Sequence, residues 1–285
     1  ISYTPTASEP GSSVTVVYQV CNTAVTPSVC ASATVTISVP LAGDSDGDGD
    51  PDNTDPAPND PCVWGTGQVL ANTTTTWRNA DCDGDGVTNY GEATGADGDP
   101  ATTADNTDPK SACSLNLSQV TLVATSTGDC DGDGVTNKDE INGIDGDPLT
   151  KGDNTDPNDG CSYNVSQQVL SNTSASWKAL DCDNDGNPNG TDPNPKVPTA
   201  LADVLTAPFN TTSTVNVLSN DDFKAGATTS LSQTGGTASG VVSFDASTGV
   251  MSYTPTASEP GSSVTVVYQV CNTAVTPSVC ASATV

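Results

Sequence analysis

The sequence contains no histidine. That removes the usual general base, the usual partner of a nucleophilic serine or cysteine, and the commonest nitrogen ligand for zinc, so a non-enzymatic chain is expected. Basic residues are scarce as well: 7 Lys and Arg face 35 Asp and Glu in 285 residues, a formal charge of −28. A surface of that sign excludes nucleic acid and anionic lipid as partners and makes divalent cations natural ones. Long apolar runs are missing too, and no membrane span, secretion signal or lipidation site is visible. Because the chain opens inside a strand-like pattern, it reads as an excerpt from a longer polypeptide.

The shortages are concentrated in one stretch. Between residues 44 and 195 only 17 of 152 residues are Leu, Ile, Val or Phe, far under the roughly 20% below which a highly charged chain is expected to be disordered. Of the acidic residues, 29 lie between Asp44 and Asp192 against 5 basic ones, a formal charge of −24. A hydrophobic core cannot fold such a segment, so metal ions and disulfides must substitute for it, or it stays a solvated acidic coil. The order of its acids decides against the coil.

Residues 81–92 and 129–140 satisfy the calcium-loop pattern D-x-[DN]-x-[DN]-G-x5-E without a mismatch. Such a loop offers oxygens at positions 1, 3, 5, 7, 9 and 12, with glycine at 6 for the sharp turn. One loop supplies Asp81, Asp83, Asp85, Val87, Asn89 and Glu92; the other supplies Asp129, Asp131, Asp133, Val135, Asn137 and Glu140. Two further loops carry Asp at position 12: Asp44, Asp46, Asp48, Asp50, Asp52 and Asp55, then Asp181, Asp183, Asp185, Asn187, Asn189 and Asp192. The shorter side chain reaches less far, so weaker or rearranged sites are expected there. A second acidic signature, DGDP followed by DNTDP, trails the two full loops and makes Asp97, Asp99, Asp105 and Asp108, and likewise Asp145, Asp147, Asp153 and Asp156, candidates for a second ion beside the first. The expected cofactor is therefore Ca²⁺, several ions per repeat.

Ten cysteines fall into sequence-neighbour pairs, none in a CxxC motif. Cys62 with Cys82, Cys113 with Cys130, and Cys161 with Cys182 bracket the inserts between acidic units; Cys21 with Cys30 and Cys271 with Cys280 bracket turn-like stretches. Disulfides within these pairs are expected, each worth on the order of 3 kcal/mol by loop entropy, and they imply an oxidising, extracellular compartment. Trp77 and Trp177 each stand four residues before a loop. Packing over a small disulfide-closed core is favoured for them over stacking on a sugar. Neither flank of a loop reads as an amphipathic helix, which argues against a helix-loop-helix sensor and against a docking module built on paired helices.

Residues 2–35 and 252–285 are identical, an offset of 250, which implies a tandem repeat of that length. Residues 1–40 read as the closing strands of an Ig- or cadherin-like domain, with strands at 14–20 and 31–39 and a stop at Pro40 to Gly43. Residues 44–195 form the acidic array. Residues 197–285 supply the earlier part of a like domain lacking its last strand, with strands expected at 214–218, 240–244, 250–253, 263–270 and from 281, and turns at NDD, TGG and DASTG. The expected fold class is mainly β plus irregular structure: an Ig-like β-sandwich alternating with a helix-poor, disulfide-stapled calcium-binding repeat array.

The loops DSDGDGDPDNTDP and DCDGDGVTN resemble thrombospondin type 3 repeats, which wind around strings of calcium ions, although inserts of about 20 residues interrupt them here. The stretches VNVLSNDD, VVSFDASTGVMSYTP and VTVVYQVCN resemble the tandem immunoglobulin- or cadherin-like domains of large bacterial surface proteins. The combination is similar to giant secreted adhesins of gliding Bacteroidota, exported by type IX secretion. The resemblance implies an extracellular, cell-surface location and a calcium-stiffened stalk or filament segment whose partners are calcium, neighbouring repeats and other stalks or surface glycans. The alternative reading is a glycan- or partner-binding adhesion module.

Overall fold

The computed structural model describes residues 2–4, 13–38, 43–259 and 261–285. The expected strand end at Val39 and the stop from Pro40 to Ala42 lie outside them. Two compact units divide the chain, residues 1–124 and 125–285.

The Val- and Thr-rich start of the first unit folds as a hairpin of β1 (Ser13–Asn22) and β2 (Val29–Ser38), antiparallel, with Cys21 opposite Cys30. A disulfide closes that pair. Downstream, helix α1 (Thr75–Asn79) starts where the Thr74 side chain accepts a hydrogen bond from Trp77 N, and α2 (Asn89–Thr94) where Thr88 accepts from Gly91 N. Hydroxyl caps of this kind satisfy amides that one turn of helix cannot.

The second unit repeats the scheme with α3 (Asn137–Asn142) and α4 (Ala175–Lys178), the latter capped by Ser174 through Trp177 N. These helices correct the expectation that the loop flanks lack helix. The segments are one or two turns long, too short for an apolar stripe to show in the sequence; α1, α2 and α4 carry hydroxyl caps, and α1 and α4 bury Trp77 and Trp177.

Beyond residue 212 the described residues form six strands: β3 (Ser213–Asn216), β4 (Thr229–Gly236), β5 (Val241–Asp245), β6 (Val250–Thr254), β7 (Val266–Asn272) and β8 (Val279–Thr284). They form two antiparallel sheets ordered β3-β6-β5 and β4-β7-β8. Strict alternation along β6 and β7 sends Met251, Tyr253, Val266, Tyr268 and Val270 into a shared core with Val217 and Phe223. The TGG at 234–236, expected as a turn, is the end of β4, where the register slips between Gln233 and Gly235. Glycine here marks a bulge and not a chain reversal.

The identical hairpins have different surroundings. Tyr268 and Val270 are 0% exposed, whereas their copies Tyr18 and Val20 are 37% and 63% exposed. In the sheet β4-β7-β8, β4 pairs with the other edge of β7; among the described residues β1 pairs with β2 alone. The Tyr268 hydroxyl also lies within hydrogen-bond distance of two acceptors for its one proton, Asp221 Oδ2 (2.9 Å) and Val217 O (3.0 Å).

Further bridges join Cys62 to Cys82, Cys161 to Cys182 and Cys271 to Cys280. Cys113 and Cys130 are likewise disulfide-bonded, so no described cysteine is free. Between the bridged ends, the inserts carry small aromatic cores: Trp64 meets Trp77 edge-on at 5.3 Å, and Tyr163 meets Trp177 at 5.8 Å. Lys110 and Lys196 lay their ammonium groups over Trp64 and Tyr163 at 3.8 and 4.4 Å. Trp177 is 2% exposed and donates Nε1–H to Gly160 O at 2.7 Å. Trp177→Ala is therefore expected to cost ~3–5 kcal/mol, read as a lowered denaturation midpoint in calcium-containing buffer. A loss below about 1 kcal/mol, the typical effect of an arbitrary substitution, would show that the tryptophan does not hold its insert.

Candidate metal centre

Each acidic loop is first of all a set of turns built by its own carboxylates. Asp81 Oδ1 accepts from Gly84 N (2.7 Å) and Oδ2 from Gly86 N (2.9 Å), while Asp83 and Asp85 each accept, through Oδ1, from the amide two residues on. The same bonds recur from Asp44 and from Asp129. Such turns need left-handed backbone at positions 4 and 6. Glycine provides it at 84 and 86, with φ of 79° and 90°; in the last loop Asn184 takes position 4 with φ of 63°.

After these bonds each loop keeps oxygens that nothing satisfies. Oδ2 of Asp46, Asp48, Asp83, Asp85, Asp131, Asp133, Asp183 and Asp185 is buried without a hydrogen-bond partner, as are Glu92 Oε2, Glu140 Oε2, Asp55 Oδ2 and Asp192 Oδ2. In all four loops, carboxylate oxygens from positions 1, 3 and 5 lie within 4.8 Å of one another. Buried carboxylates without donors are unstable unless they are protonated or meet a cation, so the sets could hold metal ions.

Their proton affinities record the same strain. Burial, then the charges of Asp85 and Asp83, push Glu92 up to about 9, and burial with Asp133 and Asp131 does the same to Glu140. Burial likewise takes Asp85, Asp131 and Asp185 to about 7, and Asp48, Asp83, Asp133 and Asp183 to about 6. Glu92 and Glu140 are themselves fully buried, each with Oε1 accepting from the hydroxyl of Thr107 or Thr155. Those threonines belong to the trailing DNTDP signatures, which thus orient the position-12 carboxylates.

Several expected ligands have other tasks. The Asn89 side chain accepts from Cys82 N (3.0 Å) and donates to Trp77 O (3.0 Å), and its backbone amide donates to Ala80 O. Asn189 repeats this on Cys182, Trp177 and Leu180, while Asn137 accepts from Cys130 N and donates to Cys130 Sγ. Position 9 is a clamp that ties the loop to its disulfide. Asp50 spends its carboxylate on Thr54 Oγ1 and Gly65 N, and Asp52 on the amide and hydroxyl of Ser45.

The trailing acids cap turns as well. Asp97 accepts from Asp99 N and Thr102 Oγ1, Asp99 from Ala101 N, Asp105 from Asp97 N, and Asp108 from Lys110 N. Asp145, Asp147, Asp153 and Asp156 do the same through Thr150, Leu149, Ile144 and Asn158. Among the described residues none of these eight joins a group of three or more converging carboxylates.

Missed by sequence reasoning is the way an insert drapes over the turn before it. Val69 N and Thr74 N donate to Gly49 O and Gly47 O in the first unit; Val169 N and Ser174 N donate to Gly134 O and Gly132 O in the second. Val87 and Val135, beside the ligand sets, are buried, Val135 against Tyr163 and Trp177. With Trp77 and Trp177 1% and 2% exposed, neither ring offers a face to a sugar.

Residues 194–285 match the family model described as a bacterial Ig domain. No match is found among curated proteins or among solved structures. No helix among the described residues is long and apolar enough to cross a membrane. An Ig-like domain and disulfide-bonded cysteines are consistent with an extracellular or secreted module.

Proposed function

Proceeding from a bacterial Ig domain joined to acidic, disulfide-closed loops, we propose that this chain is a structural segment of an extracellular stalk or filament, in which a calcium-stiffened spacer (residues 44–195) alternates with Ig-like domains (1–40 and 197–285). The carrying observation is the recurrence, in each loop, of buried carboxylate oxygens with no donor. Oxygen-only ligands on flexible turns suit Ca²⁺ over Zn²⁺ or Mg²⁺. Asp81, Asp83, Asp85 and Glu92 would hold one ion, and Asp129, Asp131, Asp133 and Glu140 another, with the backbone carbonyls of Val87 and Val135. The loops at Asp44 and Asp181 would take one each. Bound cations supply the positive charge that lets carboxylates stay ionised while buried.

A surface-adhesin role as scaffold, without catalysis, fits this arrangement. The acids are committed to turns and to cation sets, and histidine is absent. Equilibrium dialysis of the metal-stripped chain against calcium, with bound metal counted by mass spectrometry, is expected to return about four ions per chain, one per loop. Fewer than about two would end the proposal.

A further inference from the structure

The last loop ends in Asp192, too short to close a site as Glu92 and Glu140 can. A carboxylate from outside the array faces it. One oxygen each of Asp185, Asp192 and Asp222 lies within 4.8 Å of the others, and the three residues are 2%, 8% and 4% exposed. Asp185 and Asp192 belong to the loop, whereas Asp222 stands between β3 and β4 of the Ig-like domain.

Three buried carboxylates in contact repel one another unless something positive joins them. The protein's own donors leave them short. Asp185 Oδ1 accepts from Asn187 N (2.7 Å) and Asp192 Oδ1 from Asn194 N (2.7 Å), but Oδ2 of both is buried and unpartnered. Asp222 Oδ2 receives a neutral amide, Asn194 Nδ2, at 3.2 Å. Lys224 puts its ammonium on Thr191 Oγ1 at 3.2 Å. The loop is seated on the sandwich independently of these acids, through Asn272 Nδ2 to Asn184 O (2.9 Å), so the carboxylates meet by construction.

We infer that Asp222 completes the cation site of the last loop, so that one divalent cation, ligated by Asp185 and Asp192 on one side and Asp222 on the other, fastens the acidic array to the following Ig-like domain. This rests on the calcium reading of the loops and adds a ligand that the loop pattern does not contain. Its consequence is mechanical: the junction is stiff only when the ion is present, and the Ig-like domain becomes part of the calcium response.

The test is a calcium titration of the full metal-stripped chain by calorimetry, on wild type, Asp222→Asn, Asp192→Asn and the double variant, with Asp245→Asn as a control at the exposed end of β5 in the same domain. Asp222→Asn keeps the shape and the contact with Asn194 while removing one ligand charge, which is expected to weaken a single site on the order of 10-fold or more. The other sites and the control should be unchanged. Asp192→Asn should weaken the same site, and the double variant should fall short of the product of the two single effects, as expected of ligands to one ion. Calcium binding of unaltered number and strength in Asp222→Asn would overturn the shared site and leave the spacer reading intact. No calcium binding in wild type would overturn both.

Discussion

Removing calcium is expected to swell and loosen the spacer proposed at residues 44–195. With 29 acidic and 5 basic residues between Asp44 and Asp192, the segment carries a formal charge of −24 and has few apolar side chains with which to resist its own repulsion. The disulfides and the ring pairs at Trp77 and Trp177 would persist as islands, since covalent bridges and ring-on-ring contacts need no ionised carboxylate. The Ig-like domain, with a core of Val217, Phe223, Met251, Tyr253 and Tyr268, should stay folded. Small-angle scattering at low ionic strength, with calcium and after chelation, should show a larger radius of gyration without the ion. Limited proteolysis should cut the loops first. An unchanged radius and an unchanged cleavage pattern would mean that the loops hold their form without metal, against the stiff-spacer reading. Added salt should reduce the swelling, because charges separated by more than about 10 Å are screened at 0.1 M.

Acid has opposite effects with and without calcium. In the metal-free folded chain, burial and neighbouring carboxylates raise Glu92 and Glu140 to about 9 and Asp85, Asp131 and Asp185 to about 7, from ordinary values of 4.5 and 3.8. Between those ordinary values and about 9 the folded state therefore binds more protons than the unfolded one. Stability then falls as pH rises through that window and is highest at its acid end. Calcium is expected to reverse the slope, because an ion held by these carboxylates would compete with the same protons and bind more tightly as they leave. Urea midpoints measured at pH 5 and pH 8.5 should thus fall with pH in stripped protein and rise with pH in millimolar calcium. Parallel slopes under the two conditions would mean that protons and calcium do not share these carboxylates.

The two expectations support each other through one cause. On the proposed reading a proton and a calcium ion would both answer the same buried, unpartnered oxygens, the proton by removing charge and the ion by matching it. Chelated protein at pH 5 should accordingly be more compact than chelated protein at pH 8.5, and the scattering series above can include both. Two trailing acids shift the opposite way. Asp97 and Asp145 are exposed, and the Thr102 and Thr150 hydroxyls hold them below their ordinary range.

What could be read directly were features whose parts lie within a dozen residues of one another. Positions 1, 3 and 5 of a loop come together because the turns between them are made by the same residues, so the order of acids at 81–85 and 129–133 already implied the carboxylate groups found there. Cysteines 9 residues apart in a hairpin, and Val/Thr runs alternating as in β7, are local in the same sense. Bacterial Ig character at residues 194–285 was visible in those strands. The one- and two-turn helices were not, since their evidence is a hydroxyl cap and a distant ring instead of a periodic stripe.

Tertiary structure alone decided what each oxygen and each apolar side does next. It gave position 9 to the disulfide clamp, turned Asp50 and Asp52 onto Gly65 and Ser45, and laid the inserts over the glycine carbonyls. It made Tyr268 a core residue and its copy Tyr18 a half-exposed one, although the two lie in identical 34-residue stretches. It also brought Asp222 to Asp192 across 30 residues of chain. The reason is the range of the forces involved: hydrogen bonds inside a turn are written in adjacent residues, whereas burial and charge repulsion depend on what the rest of the fold places alongside.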